Sequence, residues 1–206
     1  TLSFFDASCT LVNAYARRLG LRNPKVNMLW DYGHETPYQD IRGDLFGKNT
    51  GQQIIGEKEN RLINAGLPNG ARLYTDHAHP EYSTPECLSA RDAVACDKAG
   101  EIILREGLNL MKDILPFTSV TLYKNNTDQQ GHSYGCHENY LMAAHAHEAC
   151  LVSHPERALK TLIPFLVTRQ IFAGSGKVGD SKRGNPGPPY QISQRADFMQ
   201  NLFGLE

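Results

Sequence analysis

The chain has 206 residues, of which 40% are hydrophobic and 21% are charged, and its formal net charge is -1 at pH 7. This composition is typical of a globular protein and lacks the basic excess of domains that bind nucleic acid through broad electrostatics. The longest apolar runs, such as Leu162 to Val167, are far shorter than the roughly 20 residues that span a bilayer, so no membrane partner is expected.

The five cysteines are widely spaced and include no Cys-x-x-Cys pair. This pattern is neither a disulfide framework nor a cysteine-type zinc site, so it predicts reduced thiols. A cytoplasmic location is therefore expected.

The first predicted element is a helix that is capped by Asp6 or Ser8 and runs to about Leu19. After a segment of mixed polar and aromatic residues, the glycine-rich polar stretch from Gly43 to about Asn60 is predicted to be a long loop. Loops of that length are usually functional or disordered.

Strands and helices alternate irregularly in the rest of the chain. The pattern predicts strands at Ala71–Thr75, Thr118–Tyr123 and Gln191–Phe198. It predicts a long helix at Arg91–Leu115, capped by Ser89, and a second helix at Pro155–Phe172 with a kink at Pro164. Because no regular βαβ period appears, the pattern favours an α+β fold over a doubly wound sheet.

The most informative polar cluster runs from Arg72 to Thr84. If its first part is a strand, then Arg72, Tyr74 and Asp76 point to one face, with Glu81 close behind. These residue types suit a phosphate and a hard cation, because Mg²⁺ takes one or two carboxylates together with phosphate oxygens. A polar strand face exposed to water is the competing interpretation.

A second polar cluster, Ser133 to Tyr140, contains the neighbouring pair His137 and Glu138. Four other histidines raise the alternative of zinc, but they show no His-Glu-x-x-His pattern and no regular ligand spacing, so a zinc site is disfavoured. These histidines are His77, His79, His145 and His147. Lys177 ends a Gly-Ser-Gly-Lys run, yet the upstream glycine that a phosphate loop requires is absent.

Four segments together resemble the Pup ligase and depupylase family, whose enzymes are related to glutamine synthetase and the carboxylate-amine ligases. The segments are 69–83, 123–128, 133–142 and 191–197. The resemblance implies an α+β fold with a curved, mostly antiparallel sheet and helices packed on one face. It also implies ATP and Mg²⁺ as cofactors, and Pup and pupylated proteins as partners.

The resemblance also implies roles for individual residues. Asp76 matches the catalytic carboxylate, which acts as a base or as a nucleophile. The metal-ligand positions are matched by Tyr74, Glu81 and His137, and the nucleotide-contacting positions by Arg72, Ser83 and Thr84.

Two motifs resemble the depupylase branch of the family rather than the ligase branch, namely Trp30–Gly43 and Asp76–Glu81. That branch implies hydrolysis of a C–N bond at the C-terminal residue of Pup, either a glutamine side-chain amide or the isopeptide bond to a lysine. The alternatives are a ligase that forms the isopeptide bond and an inactive Pup-binding fragment. Because the family's leading Glu-x-Glu strand and its C-terminal part find no match, residues 1–206 are expected to form a single, partial catalytic-type domain.

Overall fold

The computed structural model describes residues 2–21, 64–116, 119–127, 131–179 and 189–199. The chain divides into two units, Thr1–Leu122 and Tyr123–Glu206. The predicted loop from 43 to 60 and the motif from 30 to 43 lie outside the described residues.

The first helix, α1, spans Phe4–Arg18 and begins one turn earlier than the sequence predicts. Ser3 is its cap: the Ser3 hydroxyl accepts a hydrogen bond from the Asp6 N–H at 3.0 Å and donates one to the Asp6 carboxylate at 2.6 Å. The predicted cap at Asp6 or Ser8 is therefore wrong, because Asp6 already lies in the first turn, where its charge favours the positive end of the helix dipole.

A three-stranded antiparallel sheet follows, with its strands in the order β1 (Asn64–Gly66), β2 (Arg72–Asp76) and β3 (His79–Ser83). The predicted strand at Ala71–Thr75 is confirmed with a shift of one residue. The strand β3 was not predicted, because the two-residue loop before it contains neither asparagine nor glycine, which are the usual hairpin signals.

The loop between β2 and β3 has an unusual backbone. Both of its residues, His77 and Ala78, are in the left-handed region, with φ values of 44° and 63°. Positive φ at both positions matches the type I′ turn that suits a two-residue hairpin, but side chains with a Cβ adopt it at a cost. From α1, the buried Ser8 hydroxyl donates a hydrogen bond to the Ala78 carbonyl at 2.8 Å, which holds this turn in place.

Replacing Ala78 by Gly is expected to stabilise the protein by about 0.5–1 kcal/mol, because relief of left-handed strain exceeds the extra backbone entropy of glycine. The free energy of unfolding from urea titrations measures the change. In contrast, Ala95→Gly, at an exposed position of the helix Ala90–Ile114, should destabilise the protein by about 1 kcal/mol. A loss of stability in both variants would show that Ala78 is not strained.

The longest helix, α2, spans Ala90–Ile114 and begins at the predicted cap. The Ser89 hydroxyl accepts a hydrogen bond from the Asp92 N–H at 3.1 Å, so the predicted helix and its N-terminus are confirmed. Among the described residues, no helix is both long enough and apolar enough to cross a membrane.

The core of the first unit lies between α1 and the sheet, with α2 packed against both. Two glycines allow α2 this close approach: a Cβ added at Gly107 would lie 2.8 Å from the Leu11 side chain, and one at Gly100 would lie 2.5 Å from the Tyr82 ring. The buried cluster consists of Val12, Tyr15, Leu67, Ala71 and Leu73. This core supports the inner face of β2 and leaves its other face for polar side chains.

The second unit contains short helices instead of one long predicted helix. In place of a helix kinked at Pro164, the chain breaks at Thr161, where φ is -124° and ψ is -64°. Proline has no N–H for the carbonyl four residues earlier and its ring crowds that carbonyl, so the helix restarts with Pro164 in a first turn. The helices are α3 (Ala144–His147), a π-helical turn (Glu148–Val152), α4 (Pro155–Lys160), α5 (Leu162–Thr168) and α6 (Gln170–Ala173).

Strands β4 (Lys177–Val178) and β5 (Tyr190–Gln191) form an antiparallel pair in the second unit. The predicted strand at Gln191–Phe198 is therefore wrong beyond its first residue. The Ser193 hydroxyl accepts hydrogen bonds from the Arg195 and Ala196 N–H groups, each at 3.1 Å, and this local bonding competes with strand pairing.

Residues 119–123 also form no strand, so the prediction at Thr118–Tyr123 is wrong over its described part. Helices with small antiparallel sheets nevertheless confirm the α+β class. Every pairing between the described named strands is antiparallel. The curvature of the sheet and the single-domain organisation stay predictions.

Candidate functional site

The predicted two-residue alternation of β2 is confirmed. Leu73 and Thr75 are buried in the core, at 0% and 1% exposure, while Arg72, Tyr74 and Asp76 alternate with them and are only partly buried. Residues directly opposite each other on paired strands share a face. The opposed pairs are Arg72 with Ser83, Tyr74 with Glu81, and Asp76 with His79. These six residues are called the hairpin face below.

A hydrogen-bonded carboxylate and phenol lie at the centre of the hairpin face. The Tyr74 hydroxyl donates to Glu81 Oε2 at 2.8 Å and accepts from the Ser83 hydroxyl at 3.3 Å. Burial is the main cause that raises the pKa of the Tyr74 phenol, and the Glu81 charge adds to it. Burial also raises the pKa of Glu81, whereas the hydrogen bond from Tyr74 opposes that rise. Tyr74 is therefore a neutral phenol that donates its proton to the Glu81 carboxylate.

The Arg72 guanidinium contacts neighbours on its own strand and on β1. Its Nε donates to Asn64 Oδ1 at 2.9 Å, and its central carbon lies 4.4 Å from the Tyr74 ring centroid. Asn64 is buried and lies opposite Tyr74 in the register of β1 and β2. The sequence interpretation missed Asn64, although the turn at Pro68-Asn69-Gly70 before a predicted strand signals a hairpin and therefore a strand on its other side.

Asp76 ends β2, and one of its carboxylate oxygens has no hydrogen-bond donor among the described residues. Its Oδ1 is buried and accepts no hydrogen bond within the described part of the chain. The imidazole Nδ1 of His77 lies 3.1 Å from this oxygen. Buried polar atoms are nearly always hydrogen-bonded, so this oxygen has room for a partner such as an ordered water, a ligand, a cation or a reacting group.

The donor set of the hairpin face suits Mg²⁺ better than zinc. Two carboxylates and a phenol oxygen, from Asp76, Glu81 and Tyr74, are hard donors of the kind that Mg²⁺ prefers. Within the described ranges, no group of three or more His, Cys, Asp or Glu side chains could hold a metal. An ion held by these few oxygen donors would complete its shell with water and phosphate oxygens, as Mg²⁺ commonly does, rather than with the four protein ligands of structural zinc.

The remaining predicted site residues lie outside the hairpin face. Thr84 is exposed and directly follows β3. His137 is exposed and lies in the second unit, in a segment without helix or strand. Its neighbour Glu138 is anchored by both Nη atoms of Arg169, each at 2.8 Å, and by the Tyr140 hydroxyl. The hydrogen bond from Arg169 is the main cause that lowers the pKa of Glu138.

Replacing Glu81 by Gln is expected to stabilise the metal-free protein near neutral pH, because it removes a carboxylate whose charged form is disfavoured by burial. A pKa that is raised on folding contributes stability at low pH and loses it as pH rises through that value. The advantage of Gln should therefore grow as the pH rises above the ordinary carboxyl range. Denaturant titrations across pH, in chelator, measure it.

The same substitution at the exposed Glu86 provides the control and should change stability little at any pH. A Glu81→Gln variant that is less stable than the parent at neutral pH would contradict the assigned burial cost.

Taken together, these features define an α+β protein whose candidate site is a face of carboxylate, phenol and guanidinium groups on an antiparallel hairpin. A profile of the protein family described as Pup-ligase protein matches residues 1–206. The chain therefore belongs to this family.

Individual relatives come from both branches of the family. The chain is 46% identical over 201 residues to a depupylase of Acidothermus cellulolyticus and 42% identical over 200 residues to a Pup deamidase/depupylase of Mycolicibacterium smegmatis. Each match covers 97% of this chain and 38% of the relative. A Pup–protein ligase of Kribbella flavida is 50% identical over 145 residues, which cover 68% of this chain and 30% of the ligase. The chain thus spans well under half the length of these relatives.

Proposed function

We propose that this chain carries the reactive carboxylate of a Pup deamidase and depupylase. The reaction is hydrolysis of a C–N bond at the C-terminal residue of Pup. The bond is either the side-chain amide of a terminal glutamine or the isopeptide bond to a lysine of a pupylated protein. ATP and Mg²⁺ are the proposed cofactors.

The observation that carries this choice is the extent of the matches. The depupylases match 97% of the chain, whereas the ligase match covers 68%. Within its shorter match, the ligase has a slightly higher sequence identity to this chain than the depupylases have, as expected for a site shared by both branches. The part of the chain that extends beyond the ligase match therefore favours the hydrolytic branch.

Asp76 is the proposed catalytic residue. An amide is a poor electrophile, so its hydrolysis needs a placed base or nucleophile. The buried Oδ1 of Asp76 accepts no hydrogen bond within the described residues, so its lone pairs are available for either role. As a base, Asp76 takes a proton from water; as a nucleophile, it forms an anhydride that water then cleaves. In both cases a hydroxyl replaces the nitrogen, which leaves with a proton as ammonia or as the lysine amine.

The other residues of the hairpin face position the cofactors in this proposal. Glu81 and Tyr74 would hold Mg²⁺, and Arg72 and Ser83, with the neighbouring Thr84, would contact the nucleotide. The family resemblance also suggests a metal-ligand role for His137. When bound, the metal would supply the positive charge that stabilises a developing oxyanion, and the phosphates would supply oxygen ligands to the metal. The support from geometry is that Asn64 and the Tyr74 ring hold the Arg72 guanidinium, whose planar fork suits phosphate.

Incubation of a Pup–protein conjugate with this protein, Mg²⁺ and ATP tests the proposal. The expected products are the unmodified protein and intact Pup, without ADP released in proportion to turnover. The same incubation with free Pup and a lysine-bearing acceptor tests the ligase. Conjugate formation with one ADP per bond would identify the chain as a ligase and contradict the hydrolytic proposal.

A further inference from the structure

We propose that His77 is a positioning residue for Asp76: its imidazole, with the proton on Nδ1, lies against the Asp76 carboxylate and restrains that carboxylate in its reactive orientation. This inference rests on the proposed function, because it assigns His77 a task in the same reaction. The juxtaposition that carries it is the 3.1 Å separation between His77 Nδ1 and Asp76 Oδ1.

Contact between these two side chains depends on the turn. Consecutive side chains of a strand point to opposite faces and do not meet. Here the chain leaves strand geometry immediately after Asp76, and the positive φ of His77 places its imidazole beside the preceding carboxylate. The contact is therefore a product of the left-handed turn.

The fold maintains this turn although its residues do not favour it. Glycine or asparagine would adopt the same backbone conformation at less cost, so conformational preference does not explain why position 77 is a histidine. The buried hydrogen bond from Ser8 to the Ala78 carbonyl, at 2.8 Å, holds the turn from α1. Strained backbone of this kind persists where the surrounding structure over-determines it, and it clusters at functional sites.

A donor beside Asp76 has a clear chemical use. Within the described residues, Asp76 Oδ1 accepts no aligned hydrogen bond, so the contact with the His77 imidazole is what restrains the rotation of this carboxylate. Small errors in the orientation of a reacting group lower turnover strongly. A neutral imidazole that donates from Nδ1 restrains the carboxylate and leaves its lone pairs available for chemistry.

Three substitutions at position 77 separate this role from a merely structural one. Glycine fits the turn and lacks the donor, and aspartate and asparagine are nearly identical in shape but only asparagine donates. We expect His77→Gly and His77→Asp to lower kcat by about 10- to 100-fold, the scale of a lost hydrogen bond to a charge. KM should change by less than about twofold, because ground-state binding is unaffected.

His77→Asn should restore most of this turnover, because its amide reaches the place of the imidazole donor. Ala78→Gly is the matched control, since it relaxes the same turn without removing a side-chain donor, and its kcat should equal that of the parent. Parental kcat in His77→Gly, or equal losses in the Asn and Asp variants, would overturn the proposal and leave the hydrolytic function standing.

A readout that does not depend on turnover completes the test. The ¹⁵N shifts of the His77 imidazole report which nitrogen carries the proton, and we expect Nδ1–H in the parent and a shift towards Nε2–H in Asp76→Ala. If the parent protein hydrolysed no Pup substrate, the proposed function would fail, and this spectrum would by itself test the contact between His77 and Asp76. An Nε2–H tautomer in the parent would overturn it.

Discussion

Asp76→Asn is expected to lower the rate of amide hydrolysis by about 10²- to 10⁴-fold, the contribution of a placed acid–base group. Asparagine has the shape of aspartate and keeps an acceptor oxygen, but it neither takes a proton nor attacks a carbonyl carbon. ATP binding should persist, because the proposed nucleotide contacts come from Arg72, Ser83 and Thr84. Initial rates and a nucleotide titration measure the two quantities separately.

The matched control is Asp97→Asn, at an exposed position of α2, which should leave the rate within about twofold of the parent, as is usual for surface substitutions. Full turnover in Asp76→Asn would exclude this carboxylate as base or nucleophile. Loss of ATP binding together with turnover would instead place Asp76 among the ligands of the nucleotide or metal.

Asp197→Asn is expected to destabilise the second unit by about 1–3 kcal/mol, because it removes the charge paired with a buried ammonium group, although the Asp197 side chain is itself 24% exposed. The side chain of Lys177 is 3% exposed, and its Nζ lies 2.6 Å from Asp197 Oδ2. The Phe198 ring centroid is 6.0 Å from the same ammonium group. The substitution removes the negative charge closest to this ammonium group among the described contacts. Denaturant unfolding followed by a probe in the second unit measures the loss.

The double variant Lys177→Met and Asp197→Leu provides the control, because well-packed apolar residues often replace a buried ion pair at little cost. We expect it to recover most of the stability lost in Asp197→Asn. A change of less than about 1 kcal/mol in the single variant, the range of exposed ion pairs, would show that the pair is solvated.

Local rules were sufficient to predict the polar face of β2. Its two-residue alternation placed Arg72, Tyr74 and Asp76 together, and the structure confirms that arrangement. The cap and the extent of α2 were equally predictable, since Ser89 and Asp92 make their hydrogen bonds within one turn. Signals of this kind lie within a few residues of each other, so a single sequence contains them.

The structural features that the sequence analysis did not predict depend on distant residues or on competing local interactions. The left-handed loop after β2 is held by Ser8, 70 residues from Ala78 in sequence, and no local pattern reveals that contact. Likewise, Arg72 is fixed by Asn64 on a strand that was not predicted. Near Pro164 the local rule was known, but whether the helix kinks or breaks depends on packing that periodicity does not describe.

The most direct test of the central claim is intact mass spectrometry of Pup ending in glutamine, after incubation with this protein, Mg²⁺ and ATP. We expect the small mass gain of one amide converted to a carboxylic acid, and we expect no such gain with Asp76→Asn. An unchanged Pup mass, with a protein that is folded and binds ATP, would contradict the assignment of a hydrolytic centre to the hairpin face.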